Sequence, residues 1–136
     1  MHRRHLRLRL IALTLACPGI ALAHHTFSMF DTSRQFTVNG VVAKVEWRNP
    51  HAYIWVYVPA TTSPGKYEAW AFENGSPSLL AKMGWSKDSL KPDDKVTVTY
   101  APLRDGKPGG HCLKIRLSDG RSLECQGFET APAANR

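Results

Sequence analysis

The segment from Ala52 to Val58 alternates strictly between two kinds of side chain, and this alternation constrains the fold more than any other feature of the sequence. Apolar residues at 54, 56 and 58 alternate with the aromatic residues Tyr53, Trp55 and Tyr57. Because successive side chains of a β-strand point to opposite faces, the pattern predicts a half-buried strand with its apolar side toward a core. The three aromatic rings would then face outward.

Other segments rich in β-branched or alternating residues lie on both sides of this strand, and turn signals separate them. Gly40 interrupts the first of these segments, and a glycine inside a strand often marks a bend or a bulge. Asp119-Gly120 predicts a two-residue hairpin turn near the end of the chain. We predict strands at 36–47, 52–58, 67–73, 95–100, 113–117 and 121–125.

A single short helix interrupts the series of strands. Ser76 suits the N-cap, Pro77 the first helical position and Gly84 the end of this helix. Three strands, one helix and two or three further strands are the order of a Greek-key barrel of the OB type. We therefore predict an all-β fold, a small OB-like barrel of five or six strands with one short helix between strands three and four. A β-sandwich is the competing fold.

The first 23 residues differ from the rest of the chain. Residues 1–9 carry four arginines and no acid, an apolar run follows, and Ala21-Leu22-Ala23 places small residues at the −3 and −1 positions. This pattern predicts a secretory signal peptide cleaved after Ala23, which would leave a periplasmic or secreted protein that begins at His24. A lipoprotein with Cys17 as its first residue is the alternative.

We accordingly divide the chain into four parts and expect no membrane span in the mature protein. Because four of the 18 basic residues and none of the 11 acidic residues lie in the signal peptide, cleavage would lower the net charge from +7 to +3. So small a charge argues against a nucleic-acid partner. We therefore expect the partner to be an envelope protein or a small ligand. The parts are a signal peptide at 1–23, an N-terminal lead at 24–35, the barrel domain at 36–128 and a flexible tail at 129–136.

Cleavage would leave two of the three cysteines, Cys112 and Cys125. An even pair in an oxidising compartment predicts a disulfide. The predicted hairpin would make the two cysteines diagonal neighbours, and diagonal positions are too far apart for an S–S bond. We therefore expect a bulge near 109–111 to bring them together.

Cleavage after Ala23 would also create a chelating amino terminus at His24. Its α-amine and imidazole can bind one metal ion together, and His25 adds a second imidazole. Nitrogen ligands in a square-planar arrangement suit Cu(II). His51, in the loop after the first strand, could join them because about 12 extended residues reach roughly 40 Å. We expect a copper site of His24, His25 and His51, whereas in the competing interpretation the terminal histidines bind copper weakly and without a role.

The outward rings of Tyr53, Trp55 and Tyr57 suggest the alternative function. In OB-type barrels this face binds oligonucleotides or oligosaccharides, so the chain could be a non-catalytic interaction or small-ligand module. No nucleophile elbow is present, and Glu73 with Glu68 or Glu46 is more simply surface charge than a catalytic carboxylate pair. We therefore expect a binding protein and not an enzyme.

A set of short motifs resembles a bacterial family of small exported proteins of unknown function. The resemblance covers nearly all of the chain after residue 23 and implies export and a single domain, with no activity to carry over. Its pattern includes His24, His25 and His51 but not the two cysteines. The motifs are H-H-x-F-x-M-F at 24–30, G-V-V-x-x-V-E-W-x-N-P-H at 40–51, W-x-F-E at 70–73, S-P-x-x-L at 76–80, G-W at 84–85, L-K-P-x-D-x-V-T-V at 90–98 and R-D-G at 104–106.

Overall fold

The computed structural model describes residues 27–125. The predicted signal peptide, Cys17, His24, His25 and the tail at 129–136 lie outside these residues. The described part begins with a 3-10 turn at Phe27–Met29. The other elements are β1 (Phe36–Glu46), β2 (Tyr53–Pro59), β3 (Tyr67–Glu73), α1 (Pro77–Lys82), β4 (Lys95–Pro102), β5 (Gly109–Leu117) and β6 (Ser122–Glu124).

The strands form one sheet in the order β3-β2-β1-β4-β5-β6. A short parallel pairing between β3 and β5 joins Ala71–Glu73 to Gly109–His111 and closes the first five strands into a barrel. The strand β6 adds to β5 as a sixth strand. The predicted small barrel, with one short helix between strands three and four, is confirmed.

The core lies inside the barrel, and β2 shows how the sequence builds it. Ile54, Val56 and Val58 are buried as their alternation predicts, whereas Tyr53 and Trp55 on the other face are half-buried and Tyr57 is exposed. Fully buried side chains from the other strands and the helix complete the core, among them Val42, Phe72, Leu80, Val98 and Ile115.

Strand β1 serves both halves of the barrel. It pairs with β4 from Phe36 to Val41 and with β2 from Val41 to Glu46. Gly40 lies just before this change of partner, where a Cβ atom would collide with the Val56 side chain and the Tyr57 carbonyl oxygen. The glycine is needed because β1 and β2 approach closely there, and the irregularity in register comes later, between Val42 and Lys44.

Strand β5 carries the bulge that the disulfide requires, at a different place from the one predicted. Thr99 pairs with Lys114 and Tyr100 with Cys112, so Leu113 is the extra residue. Because one inserted residue reverses the alternation, Cys112 turns into the core together with Ile115. The expected position at 109–111 was wrong by about two residues.

The predicted two-residue turn at Asp119-Gly120 was also wrong. Leu117 N–H donates to the Arg121 carbonyl, which leaves a three-residue loop of Ser118, Asp119 and Gly120. Gly120 has φ = 92°, the left-handed conformation that such loops place at a glycine.

The longer loop shifts the register of the last hairpin and brings the two cysteines together. Cys125 N–H donates to the Leu113 carbonyl, whereas the predicted turn would have placed Cys125 opposite Lys114. Cys112 and Cys125 form a disulfide with their Cα atoms 5.6 Å apart.

The helix α1 begins as its sequence predicts. The Ser76 hydroxyl accepts a hydrogen bond from Leu79 N–H, and Pro77 occupies the first turn. Leu80 is fully buried and Trp85 almost so, and the Trp85 indole N–H donates to the Glu124 carbonyl. The helix therefore packs Leu80 into the core, and Trp85, which follows the helix, bonds to β6.

Candidate functional site

A buried carboxylate at the end of β3 organises the most polar part of the barrel. Glu73 is only 5% exposed, and its two oxygens have different partners. Oε1 lies 2.8 Å from Nδ1 of His51, and Oε2 accepts a hydrogen bond from the Tyr53 hydroxyl at 2.8 Å. A buried carboxylate needs such donors because its desolvation is otherwise costly.

The strand pairings explain why these residues meet. Glu73 pairs with Tyr53 of β2 on one side and with His111 of β5 on the other. His51 follows the turn Arg48–Pro50, which contains a cis Asn49–Pro50 peptide, and reaches Glu73 from the loop. Burial raises the pKa of Tyr53 to about 12, and the hydrogen bond to Glu73 and that residue's charge add to the rise. Tyr53 therefore remains a hydrogen-bond donor at neutral pH.

Asn74 and His111 complete what we call the polar cluster, which consists of His51, Tyr53, Glu73, Asn74 and His111. Both Asn74 and His111 are at least nine-tenths buried. The Asn74 side-chain oxygen accepts from Gly75 N–H, and its amide nitrogen Nδ2 has no hydrogen-bond partner among the described residues. Buried polar groups without a partner are rare in proteins and call for an explanation.

A small cavity adjoins the polar cluster. Its volume is about 170 Å³, which is below the roughly 300–1,000 Å³ of small-molecule sites. It has room for an ion with a few waters, since a water needs only about 10–15 Å³ of such volume. Residues of the first loop, of β3, of the helix start and of β5 line it: Pro50, His51, Glu73, Asn74, Gly75, Ser76, Leu79 and His111.

The chain that follows the predicted amino terminus is fixed beside this cluster. The Phe30 ring lies 5.5 Å from the His111 ring, centroid to centroid. Arg104 N–H donates to the Met29 carbonyl and Asp31 N–H to that of Pro102, while the Arg104 side chain donates to the Ser28 carbonyl. The described part of the lead thus lies along the start of the loop between β4 and β5.

The polar cluster contains two histidines, His51 and His111, and imidazole nitrogens are common metal ligands. A histidine that gives one ring nitrogen to a carboxylate directs the other nitrogen away, which is the usual arrangement of metal-binding histidines. Nδ1 of His51 is held in this way by Glu73. Within 27–125, no group of three or more His, Cys, Asp or Glu residues is arranged to hold a metal ion.

The residues predicted for the alternative function lie on the outside of β2. Lys44 lies over the Trp55 ring, with its Nζ 5.0 Å from the centroid, and Arg48 lies 5.8 Å from the Tyr53 centroid. Cations thus cover Trp55 and Tyr53, and the Tyr53 hydroxyl is turned to Glu73. Of the three rings, Tyr57 is the most open to a ligand, being 49% exposed.

Glu73 and His111 are the two residues that sequence reasoning misjudged. The interpretation of Glu73 as surface charge was wrong, because the end of β3 is covered by β2, β5 and the first loop. Nothing near Glu73 in the sequence signals this burial, because the alternation of β3 puts it on the face opposite Phe72. His111 had no signal of its own, since its proximity to Glu73 depends on the closure of the barrel.

Comparisons with known proteins identify a family for this chain. The model of a family of unknown function (DUF6152) matches residues 12–112. No curated protein and no solved structure matches the chain at a significant level.

A separate observation concerns membrane helices. Within residues 27–125, none of the helices has the length and apolar character needed to cross a bilayer.

Proposed function

We propose that this chain, which belongs to the family of unknown function DUF6152, is an exported protein that binds copper at the polar cluster. The ligands would be the amine and imidazole of His24, the imidazole of His25 and Nε2 of His51, with His111 as a further imidazole at the same cavity. The observation that carries the proposal is the contact between Nδ1 of His51 and the buried Glu73 carboxylate.

The chemistry of this contact supports a metal ligand more than a structural histidine. Glu73 fixes the ring orientation of His51 and makes its other nitrogen more basic, as carboxylates do behind metal-binding histidines. The His51 side chain is 27% exposed, so a metal ion can reach it.

The position of the lead supports the participation of His24 and His25. His24 is three residues before Phe27, and an extended chain covers at most about 3.6 Å per residue, so its Cα lies within about 11 Å of the Phe27 Cα. Hydrogen bonds fix Met29 beside Arg104, and Phe30 contacts His111. So short a connection allows both terminal histidines to fold back toward the cavity.

The nature of the ligands favours copper over other divalent metals. An amine and several imidazoles are nitrogen donors, and Cu(II) leads the divalent affinity order for such sites. Zinc would compete for the same nitrogen donors, but it lies below Cu(II) in the affinity order for such sites. Within residues 27–125 the two cysteines, Cys112 and Cys125, are joined to each other, which also disfavours a thiolate site.

A copper titration of two amino termini tests the proposal. One protein begins at His24, and the control carries an acetyl group on the His24 amine, which blocks that nitrogen and leaves every side chain in place. Cu(II) affinity is measured by competition with a chelator, and electron paramagnetic resonance counts the nitrogen ligands. We expect the acetyl group to lower the affinity at least tenfold and to remove one nitrogen.

Two further measurements separate the parts of the proposal. His51→Ala should lower the affinity in the protein that begins at His24, whereas equal affinity in all three proteins would refute the site.

Export is tested by itself, through the intact mass of the protein recovered from the periplasm. A mass that begins at His24 supports it, and a mass that begins at Met1 or at Cys17 contradicts the free His24 amine.

A further inference from the structure

A second and larger cavity lies on the outer surface of the barrel, where β1 changes partner from β4 to β2. Its volume is about 550 Å³, within the usual range for small-molecule sites. It is separate from the polar cluster and shares none of its residues. Its lining comes from β1, the end of β2, the start of β3, β4, the end of β5 and the loop after it: Asn39, Gly40, Val41, Pro59, Tyr67, Lys95, Val96, Thr97, Arg116, Leu117, Ser118 and Gly120.

The strand register places the lining side chains in two neighbouring rows on one face. In the first row Lys95 pairs with Val41, and Val41 pairs with Tyr57. Residues paired directly across antiparallel strands share a face, with Cβ atoms about 4.5–5.5 Å apart. The first row therefore runs from a cation across an apolar residue to an aromatic ring.

The second row also begins with a cation, which two polar residues follow. Arg116 pairs with Thr97, and Thr97 pairs with Asn39, to which its hydroxyl donates a hydrogen bond at 2.7 Å. At the far side of β2, Pro59 pairs with Tyr67. Both rows thus have a cation at the β4–β5 end and a tyrosine at the β2–β3 end.

The cationic end of this groove has no acidic partner. Lys95 and Arg116 are exposed and occupy diagonal positions, about 7–8 Å apart at the backbone. Neither forms an ion pair with any described residue, and no acidic residue lines the cavity. The nearby Asp119 is paired with Arg121. Two unopposed cations side by side attract an anionic group.

The tyrosine end is unusually open for aromatic side chains. Tyr57 is 49% and Tyr67 63% exposed, and together with Val41 they line an adjoining apolar cavity of about 310 Å³. A flat apolar group that covered these rings would remove their surface from water, at about 25 cal/mol for each Å² buried. Stacking against the ring faces would add to this.

We infer that this groove, which we call the amphipathic groove, binds a small anionic ligand with a flat apolar body. The anionic group would lie between Lys95 and Arg116, and the apolar body would lie over Val41 against Tyr57 and Tyr67. Lys95 on β4 and Tyr57 on β2 are two strand spacings apart, which is about 10 Å, and Arg116 and Tyr67 lie one strand further out at the two ends. An aryl carboxylate of two rings has this length, and this site is independent of the proposed copper site.

Binding of biphenyl-4-carboxylate to the full-length mature chain tests the inference. Isothermal titration gives the affinity, and ¹H–¹⁵N spectra locate the perturbed amides. The neutral analogue biphenyl-4-methanol and the shorter benzoate are the ligand controls. We expect the strongest binding for biphenyl-4-carboxylate, with perturbed amides in β1, β4 and β5 around the groove.

Matched variants then assign the two ends. Arg116→Gln should lower the affinity for the carboxylate about five- to tenfold and leave that for the alcohol unchanged, because a charge-assisted contact is lost. Tyr67→Ser should weaken both ligands. Arg34→Gln, which removes an exposed arginine away from the groove, should change neither. Equal binding of the acid and the alcohol, an unchanged Arg116→Gln variant or perturbed amides elsewhere would overturn the inference.

Discussion

Nδ1 of His51 lies 2.8 Å from Oε1 of Glu73. Glu73 is the last residue of β3, and its carboxylate is almost wholly buried. The second oxygen of the same carboxylate is occupied by the Tyr53 hydroxyl. Glu73 therefore has both oxygens committed, and the orientation of His51 depends on one of them. The first prediction follows from this dependence.

Replacement of Glu73 by glutamine should weaken copper binding although Glu73 is not itself a proposed ligand. The amide removes the negative charge that orients His51, and the loss of such a supporting group typically costs about 10- to 100-fold in metal affinity. Cu(II) competition titrations measure the effect. Glu68→Gln is the matched control, because Glu68 lies on the same strand and is exposed, and it should leave the affinity unchanged. Equal affinities in both variants would contradict the role of Glu73.

Gly40→Ala should destabilise the barrel by about 3 kcal/mol, since overpacked positions typically cost 1–3 kcal/mol and a collision with backbone is hard to relieve. The added methyl group would meet the Val56 side chain and the Tyr57 carbonyl oxygen. Urea unfolding followed by tryptophan fluorescence measures the change. Gly120→Ala is the comparison, because its φ is 92° but nothing lies within 4 Å of its Cβ position. Gly120→Ala should lower the free energy of unfolding by about 1 kcal/mol. A larger loss for Gly120→Ala than for Gly40→Ala would show that β1 and β2 separate easily at Gly40.

Removal of the disulfide by Cys112→Ser with Cys125→Ser should lower the free energy of unfolding by about 3 kcal/mol. The two cysteines are 13 residues apart, and closing a loop of about this length restricts the unfolded chain to that extent. Urea unfolding with and without reductant measures it. The double variant should not respond to reductant, whereas two free thiols in the native protein by mass spectrometry would disprove the bridge.

The Asp31 carboxyl provides a pH-dependent prediction. A hydrogen bond from the Ser33 side chain is the main cause that lowers its pKa below the ordinary value, and the backbone N–H of Ser33 and the charges of Arg104 and Arg34 add to this. A lowered pKa means that the contribution of Asp31 to stability is present above its unfolded-state pKa and is lost as the pH falls through the folded-state value.

Ser33→Ala should therefore raise the pKa of Asp31 toward its ordinary value. NMR titration of the side-chain carboxyl carbon between about pH 2 and 6 covers the transition. The matched control is Ser63→Ala in the loop between β2 and β3, which should leave the titration of Asp31 unchanged. An unaltered Asp31 titration in Ser33→Ala would show that the backbone bond and the two arginines set its pKa.

Much of the fold could be predicted because its signals are local. Each signal acts over a few residues: the alternation along β2, the cap at Ser76, and the proline and glycine that mark the two ends of the helix, Pro77 and Gly84. The structure has these features where the sequence indicates them. The hairpin was mispredicted because Asp119-Gly120 fits both a two-residue turn and the end of a three-residue loop. Only the packing of β5 and β6 selects between these registers.

The site could be predicted only in part, since its histidines belong to segments far apart in sequence. His51 was a candidate because of its loop, but nothing near Glu73 in the sequence indicates that this residue is buried. The cavity that His51 shares with His111 exists because β3 pairs with β5.

By itself, the sequence determined the all-β class, the order of the strands and the single helix along the chain, and the inward face of β2, because side-chain periodicity and capping depend on neighbouring residues. The tertiary structure alone decided that Glu73 is buried, that β5 has a bulge at Leu113, and that two cations and two tyrosines lie close together in the amphipathic groove. These depend on strand register and barrel closure. Register is set by the packing of the whole sheet, and a shift of one residue would have moved each of these side chains to the opposite face.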